Sequence, residues 1–177
     1  MRKPISCSLW IALQGALKIW YNIRMAEKAV FKTRREAEMK RMLTFGVFDL
    51  FHYGHKELFR KAKELGGPDC QLVVAVHDGE WIKKFKPDAE IVYSTQERLE
   101  MVQQCRYVDE AVIYQTVDQG VRDIPFDILL LGADHGEHAA WKAALAWCAE
   151  HGKTVMRTTR TEGISSTILR DRIRRLA

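Results

Sequence analysis

Four cysteines are spread singly along the chain, at Cys7, Cys70, Cys105 and Cys148, and they form no CxxC pair. That spacing argues against a disulfide framework and reads as reduced thiols in a cytoplasmic protein. There is no HExxH segment, and no cysteine cluster supports a zinc site. No apolar run reaches the roughly 20 residues needed to span a bilayer. The apolar stretch from Leu9 to Tyr21 is broken by Gln14, Gly15 and Lys18. No small-residue cleavage site follows it, which argues against a secretory leader. Repeats and low-complexity tracts are absent as well.

The 177 residues are 47% hydrophobic and 29% charged, an ordinary globular mixture and enough for one domain with an appendage. The net charge of +5 is unevenly placed. Residues 1–41 hold ten Lys/Arg and three Asp/Glu, a net of +7, and the other 18 Lys/Arg and 20 Asp/Glu leave 42–177 at −2. The body therefore lacks the basic excess expected of a nucleic-acid binder. Three readings fit the basic segment 1–41. It is a helix packed on the body or on a second subunit, an interfacial helix contacting anionic lipid through residues 9–41, or an extension with Met25, Met39 and Met42 as alternative starts.

From Met42 onward, strands and helices alternate. Met42–Val47, Gln71–Val76, Glu110–Tyr114, Asp127–Leu131 and Lys153–Met156 read as strands. Residues 54–66, 95–105, 137–151 and 165–176 read as helices, the first with Leu58, Phe59, Ala62 and Leu65 at helical spacing. Five strands alternating with helices predict an α/β fold with a mostly parallel sheet covered on both faces. Ligands of such sheets bind at the carboxyl ends of the strands.

Two segments with phosphate-binding chemistry fall just after predicted strands. The first is Gly46-Val47-Phe48-Asp49-Leu50-Phe51-His52-Tyr53-Gly54-His55. His52 and His55 share one face of a helical turn, and the helix start offers unpaired N–H groups. Gly54 permits close approach of a ligand to the backbone. By themselves the two histidines also fit a helix cap, or half of a zinc site with Asp49 recruited. The second segment is Arg160-Thr161-Glu162-Gly163-Ile164-Ser165-Ser166-Thr167. Its hydroxyls either cap a helix or bind phosphate, and Arg160 offers a two-point phosphate contact.

Together these residues resemble the nucleotidyltransferase superfamily. The first segment resembles its HxGH motif. Arg160 to Ser165 matches the RTEGIS motif of the cytidylyltransferase branch, nearest the glycerol-3-phosphate cytidylyltransferases, with Ser166 in place of the usual Thr. The likeness runs from about Met42 to Ile173 and includes Arg106-Tyr107-Val108-Asp109-Glu110; residues 1–41 have no counterpart. It implies a Rossmann-like, doubly wound sheet and a homodimer. It implies catalytic roles for His52, His55, Lys84 and Arg160. It places Gly46, Val47, Phe48, Asp49, Gly54, Arg106, Asp134, Thr161, Gly163, Ile164, Ser165 and Ser166 at the nucleotide. Asp78 and Lys86 fall at the acceptor substrate, whose pocket residues 77–93 should shape, with Lys83–Lys86 taken as a loop. The reaction implied joins CTP to a small phosphorylated alcohol, with Mg²⁺ carried by the triphosphate rather than by protein ligands. An ATP-using relative, another phosphorylated or phosphonate acceptor, and a non-catalytic nucleotide-binding module are the rivals.

Overall fold

The computed structural model describes residues 18, 20–27, 39–132 and 139–176. The chain divides into two units, Met1–Met39 and Lys40–Ala177. In the first, residues 20–27 are helical, with Trp20, Tyr21, Ile23 and Met25 exposed and the Arg24 guanidinium 4.8 Å above the Trp20 ring. Most of the stretch read as an interfacial helix lies outside the described residues.

The second unit carries a five-stranded, all-parallel sheet in the order β3-β2-β1-β4-β5. The strands are β1 (Lys40–Gly46), β2 (Cys70–His77), β3 (Glu110–Tyr114), β4 (Ile128–Gly132) and β5 (Thr154–Thr158). The helices are α1 (Tyr53–Gly66), α2 (Gly79–Phe85), α3 (Thr95–Gln103), α4 (Val117–Asp123), α5 (Ala139–Glu150) and α6 (Ser166–Leu176). Alternation along the strands builds two cores, as the period of two requires. Met42, Leu72, Val74, Val76 and Leu130 meet Phe59 and Ala62 of α1 and Val102 of α3 on one face. Leu43, Phe45, Val73, Ala75, Leu129 and Leu131 meet Val121 of α4 and Ala144 and Cys148 of α5 on the other. Near-continuous apolar strands are the mark of a sheet buried on both sides.

Three details differ from the sequence reading. β1 begins at Lys40, ahead of its hydrophobic run, because ladder pairing uses the backbone: Lys40 and Arg41 pair with Cys70 and Gln71. Arg41 also bonds Pro125 O at 2.9 Å and Glu110 at 2.7 Å. Residues 79–85, part of which was read as a loop, form α2 instead. Residues 117–123 form α4. Each of these helices is seven residues long and shows too little periodicity to be recognised. Local caps start them: the Asp78 side chain accepts from Glu80 N at 3.1 Å, and Thr116 Oγ1 accepts from Gln119 N at 3.2 Å.

Gly120 marks the tightest helix-to-sheet approach on the second face. A Cβ there would lie 2.5 Å from Phe45 Cε1, and that ring is buried. An ordinary Gly→Ala change in a helix gains up to about 1 kcal/mol. Overpacking costs about 1–3 kcal/mol, so Gly120→Ala is expected to destabilise the protein. A lowered urea midpoint with unchanged slope checks it.

Candidate active site

The chain leaves β1 through a loop that breaks an ordinary backbone rule twice. Phe48 and Leu50 have φ of 56° and 47° without being glycine. Each such residue costs on the order of 1–3 kcal/mol and persists only where its surroundings over-determine it. Phe48 is held by packing: its ring is buried against Phe59 and His55 and lies across Gly46, where a Cβ would be 2.7 Å from Phe48 Cζ. Asp49 is held by hydrogen bonds. Its carboxylate is 4% exposed and accepts from Val92 N at 3.1 Å, Tyr93 N at 3.0 Å and Arg170 Nη1 at 3.2 Å.

His52 caps α1. Its Nδ1 accepts the Gly54 N–H at 3.1 Å, so Nδ1 carries no proton and the neutral ring bears its hydrogen on Nε2. The His55 ring stacks on it at 3.7 Å and 19°. His55 Nδ1 is buried without a partner. An unpaired buried N–H is costlier than an unused lone pair, which favours the Nε2–H form of His55 too. Burial, then the neighbouring His52, push His55 down to about 3. Burial, then Arg160, lower His52. Both rings are therefore neutral hydrogen-bond donors at neutral pH.

The second motif closes over the first. A Cβ on Gly54 would lie 3.0 Å from the His52 ring and 3.2 Å from Ile164 Cγ2. Gly163, at φ 74°, makes the turn. Ser165 Oγ accepts from Ile168 N at 3.1 Å and starts α6. Ser166 Oγ donates to Asp49 O at 2.7 Å, joining the two motifs across 117 residues of chain.

A cavity of about 520 Å³ results, at the carboxyl ends of the strands. Gly46, Val47, Phe48, Asp49, His52, Gly54, His55, Arg160, Thr161, Ile164, Ser165 and Ser166 all line it. Other expected site residues lie elsewhere. Gly163 shapes the turn without lining the cavity. Asp78 is occupied as the cap of α2 and also accepts from Gln115 Nε2 at 3.2 Å. Lys84 is exposed on α2, its ammonium 5.1 Å above the Trp81 ring. Lys86 is exposed at the end of α2. Arg106 precedes β3, at the opposite edge of the sheet, and donates to Tyr107 OH at 2.8 Å. Asp134 lies outside the described residues.

The wall formed by Ile82, Ala89, Glu90 and Ile91 lies within the 77–93 stretch expected at the acceptor pocket, though none of the four was singled out, and Arg170 was missed. Arg170 carried a usable signal: it sits four residues after Ser166, on the same helical stripe. Arg98 was missed too. It is fully buried and donates to Val47 O and His77 O, each at 2.7 Å, and to Tyr93 O at 3.2 Å. One guanidinium thus ties the exits of β1 and β2 to the segment before α3.

Residues 43–172 match the model of the family described as cytidylyltransferase-like. This chain belongs to that family. The match begins inside β1 and ends inside α6, so both motifs of this nucleotidyltransferase fall within it. The cytidylyltransferase-like chain is 31% identical over 138 residues to a glycerol-3-phosphate cytidylyltransferase of Bacillus subtilis (strain 168), spanning 76% of this chain and 98% of the relative. It is 41% identical over 100 residues to an FAD synthase of Methanobrevibacter ruminantium, spanning 55% and 65%. Among solved structures, a lipopolysaccharide core biosynthesis protein from Thermoplasma volcanium GSS1 matches with a TM-score of 0.55 and 25% identity, over 70% of this chain and 97% of the other.

The lowered histidines give a pH dependence with a definite sign. An unfolded chain takes up protons on His55 below its ordinary 6.5, while the folded protein does so only near about 3. The contribution is fully present above pH 6.5 and is lost as pH falls from 6.5 toward 3. By pH 5 the loss amounts to about 2 kcal/mol. In His55→Gln the stability lost between pH 7 and pH 5 should shrink by about that amount, measured by urea denaturation at both pH values.

Proposed function

We propose that this protein transfers CMP from CTP to a small phosphorylated alcohol such as glycerol 3-phosphate. A phosphate oxygen of the acceptor attacks the α-phosphorus in line. The bond from that phosphorus to the bridging oxygen breaks, and pyrophosphate leaves with the electron pair, yielding a CDP-alcohol. The observation that carries this reading is the meeting of the two motifs at one cavity: the stacked His52 and His55 rings on one side, and Arg160–Ser166 on the other.

Little covalent work falls to the protein in such a reaction; positioning and charge stabilisation dominate. The neutral imidazoles donate hydrogen bonds to phosphate oxygens as negative charge moves to the leaving group. Arg160 supplies fixed positive charge, and Thr161 and the backbone N–H groups at the start of α6 hold the triphosphate. Lys84 rests over Trp81, so the reading gives Arg160 the larger share.

Mg²⁺ belongs to the substrate, as MgCTP. Among the described residues no group of three or more His, Cys, Asp or Glu could hold a metal. The cavity carboxylates Asp49 and Glu90 are already paired with arginines. These residues do not fit a protein-held ion.

The Arg160–Ser165 segment supports CTP. Similarity to an FAD synthase makes adenylyl transfer the second reading. A pyrophosphate-release assay of CTP and ATP against phospho-alcohols separates them: turnover with ATP alone would overturn the first. His55→Ala should fold and lose about 10²–10³-fold in kcat. Near-native turnover by a folded His55→Ala would sink the catalytic assignment.

A further inference from the structure

The cavity wall from α2 to α3 is held against α6 by charge. Glu90 lines the cavity and pairs with Arg174, and its Oε2 lies 3.8 Å from Arg170 Nε. Arg170 lines the same cavity and donates to Asp49 through Nη1 at 3.2 Å. Asp49 is buried with two backbone N–H donors as well, so its hold on Arg170 is firm. Glu90 differs: its side chain is 57% exposed, and 3.8 Å exceeds hydrogen-bond distance. A guanidinium has five N–H donors. Among the described residues, Nη1 is the Arg170 atom seen within hydrogen-bond distance of an acceptor.

We propose that Glu90 is a positioning residue that competes with a substrate phosphate for Arg170, so that phosphate binding and loss of the contact between Glu90 and Arg170 are coupled. The phosphate offers oxygens in the fork geometry that Arg favours. Glu90 offers one loosely placed carboxylate anchored by Arg174. A phosphate reaching Arg170 displaces Glu90 from it, and Arg174 keeps the released carboxylate on α6. The proposal rests on the nucleotidyl-transfer reading only in requiring that a phosphate enter this cavity.

The test uses the full chain and inorganic pyrophosphate, a probe with neither base nor acceptor. Calorimetric titration should give a dissociation constant about 3- to 5-fold lower for Glu90→Gln than for the parent, the scale of one exposed ion pair. Arg174→Gln should raise it by a similar factor, since Glu90 then falls back on Arg170. The double variant should match Glu90→Gln alone. A wall that Glu90 merely props predicts the opposite sign, weaker binding in Glu90→Gln. Thermal unfolding confirms that each variant is folded, and these exposed positions favour that. Pyrophosphate bound with unchanged or lower affinity by folded Glu90→Gln overturns the competition and leaves the function untouched. No pyrophosphate binding by any of the proteins overturns the nucleotidyl-transfer reading and this proposal together.

Discussion

Asp49 sits in the loop after β1 with its carboxylate almost wholly removed from water, and three parts of the chain end on it. Val92 and Tyr93 of the α2–α3 connector donate their backbone N–H groups, Arg170 of α6 donates from its guanidinium, and the loop itself turns around it. A buried carboxylate that lost these partners would be several kcal/mol less stable. The site cannot loosen at one of these segments without disturbing the others. Ser166 adds a fourth bond from α6 to the Asp49 carbonyl. The left-handed residues Phe48 and Leu50 on either side of Asp49 are tolerable because that clamp is in place.

The same clamp sets the electrostatics of the cavity. His52 is kept neutral by burial and then by Arg160, and His55 by burial and then by His52, so each ring presents directed N–H groups rather than net charge. Among the described residues, the formal charges lining the cavity are Arg160 and Arg170 set against Asp49 and Glu90. Three of these four are linked, since Arg170 bonds Asp49 at 3.2 Å and lies 3.8 Å from Glu90. The histidine at position 52 does two jobs: one nitrogen caps α1, and the other is left to donate. Helix capping by Nδ1 leaves Nε2–H outside the cap, so a capping histidine and a ligand-facing donor do not exclude each other here.

Legibility in the sequence followed the range of the interactions concerned. The central strands β1, β2 and β4 could be read because burial on both faces demands continuous apolar runs such as Leu72–Val76 and Leu129–Leu131. α1 could be read because Phe59 and Ala62 repeat at helical spacing. α2 and α4 could not, since two turns of helix give no period to detect. The histidine and RTEGIS segments were legible as short motifs. The wall residues Ile82 and Ala89–Ile91 were legible only as part of the 77–93 stretch and not one by one, because they have no motif and are brought to the site by the bonds of their segment to Asp49.

By itself the sequence determined the sheet, its parallel order of strand and helix, and the two motif segments that line the cavity, all of which depend on nearest neighbours along the chain or on hydrophobic period. Beyond Asp49 and Arg160, the tertiary structure alone decided which charged residues belong to the cavity. Lys84 and Arg106 have the right chemistry, yet one rests over Trp81 and the other lies before β3 at the far edge. Arg170 and Glu90, which carried no motif, line the cavity instead. Side-chain chemistry is written residue by residue, but a site is a convergence of segments distant in sequence. That convergence is set by contacts such as Ser166 to Asp49 and Arg98 to the exits of β1 and β2.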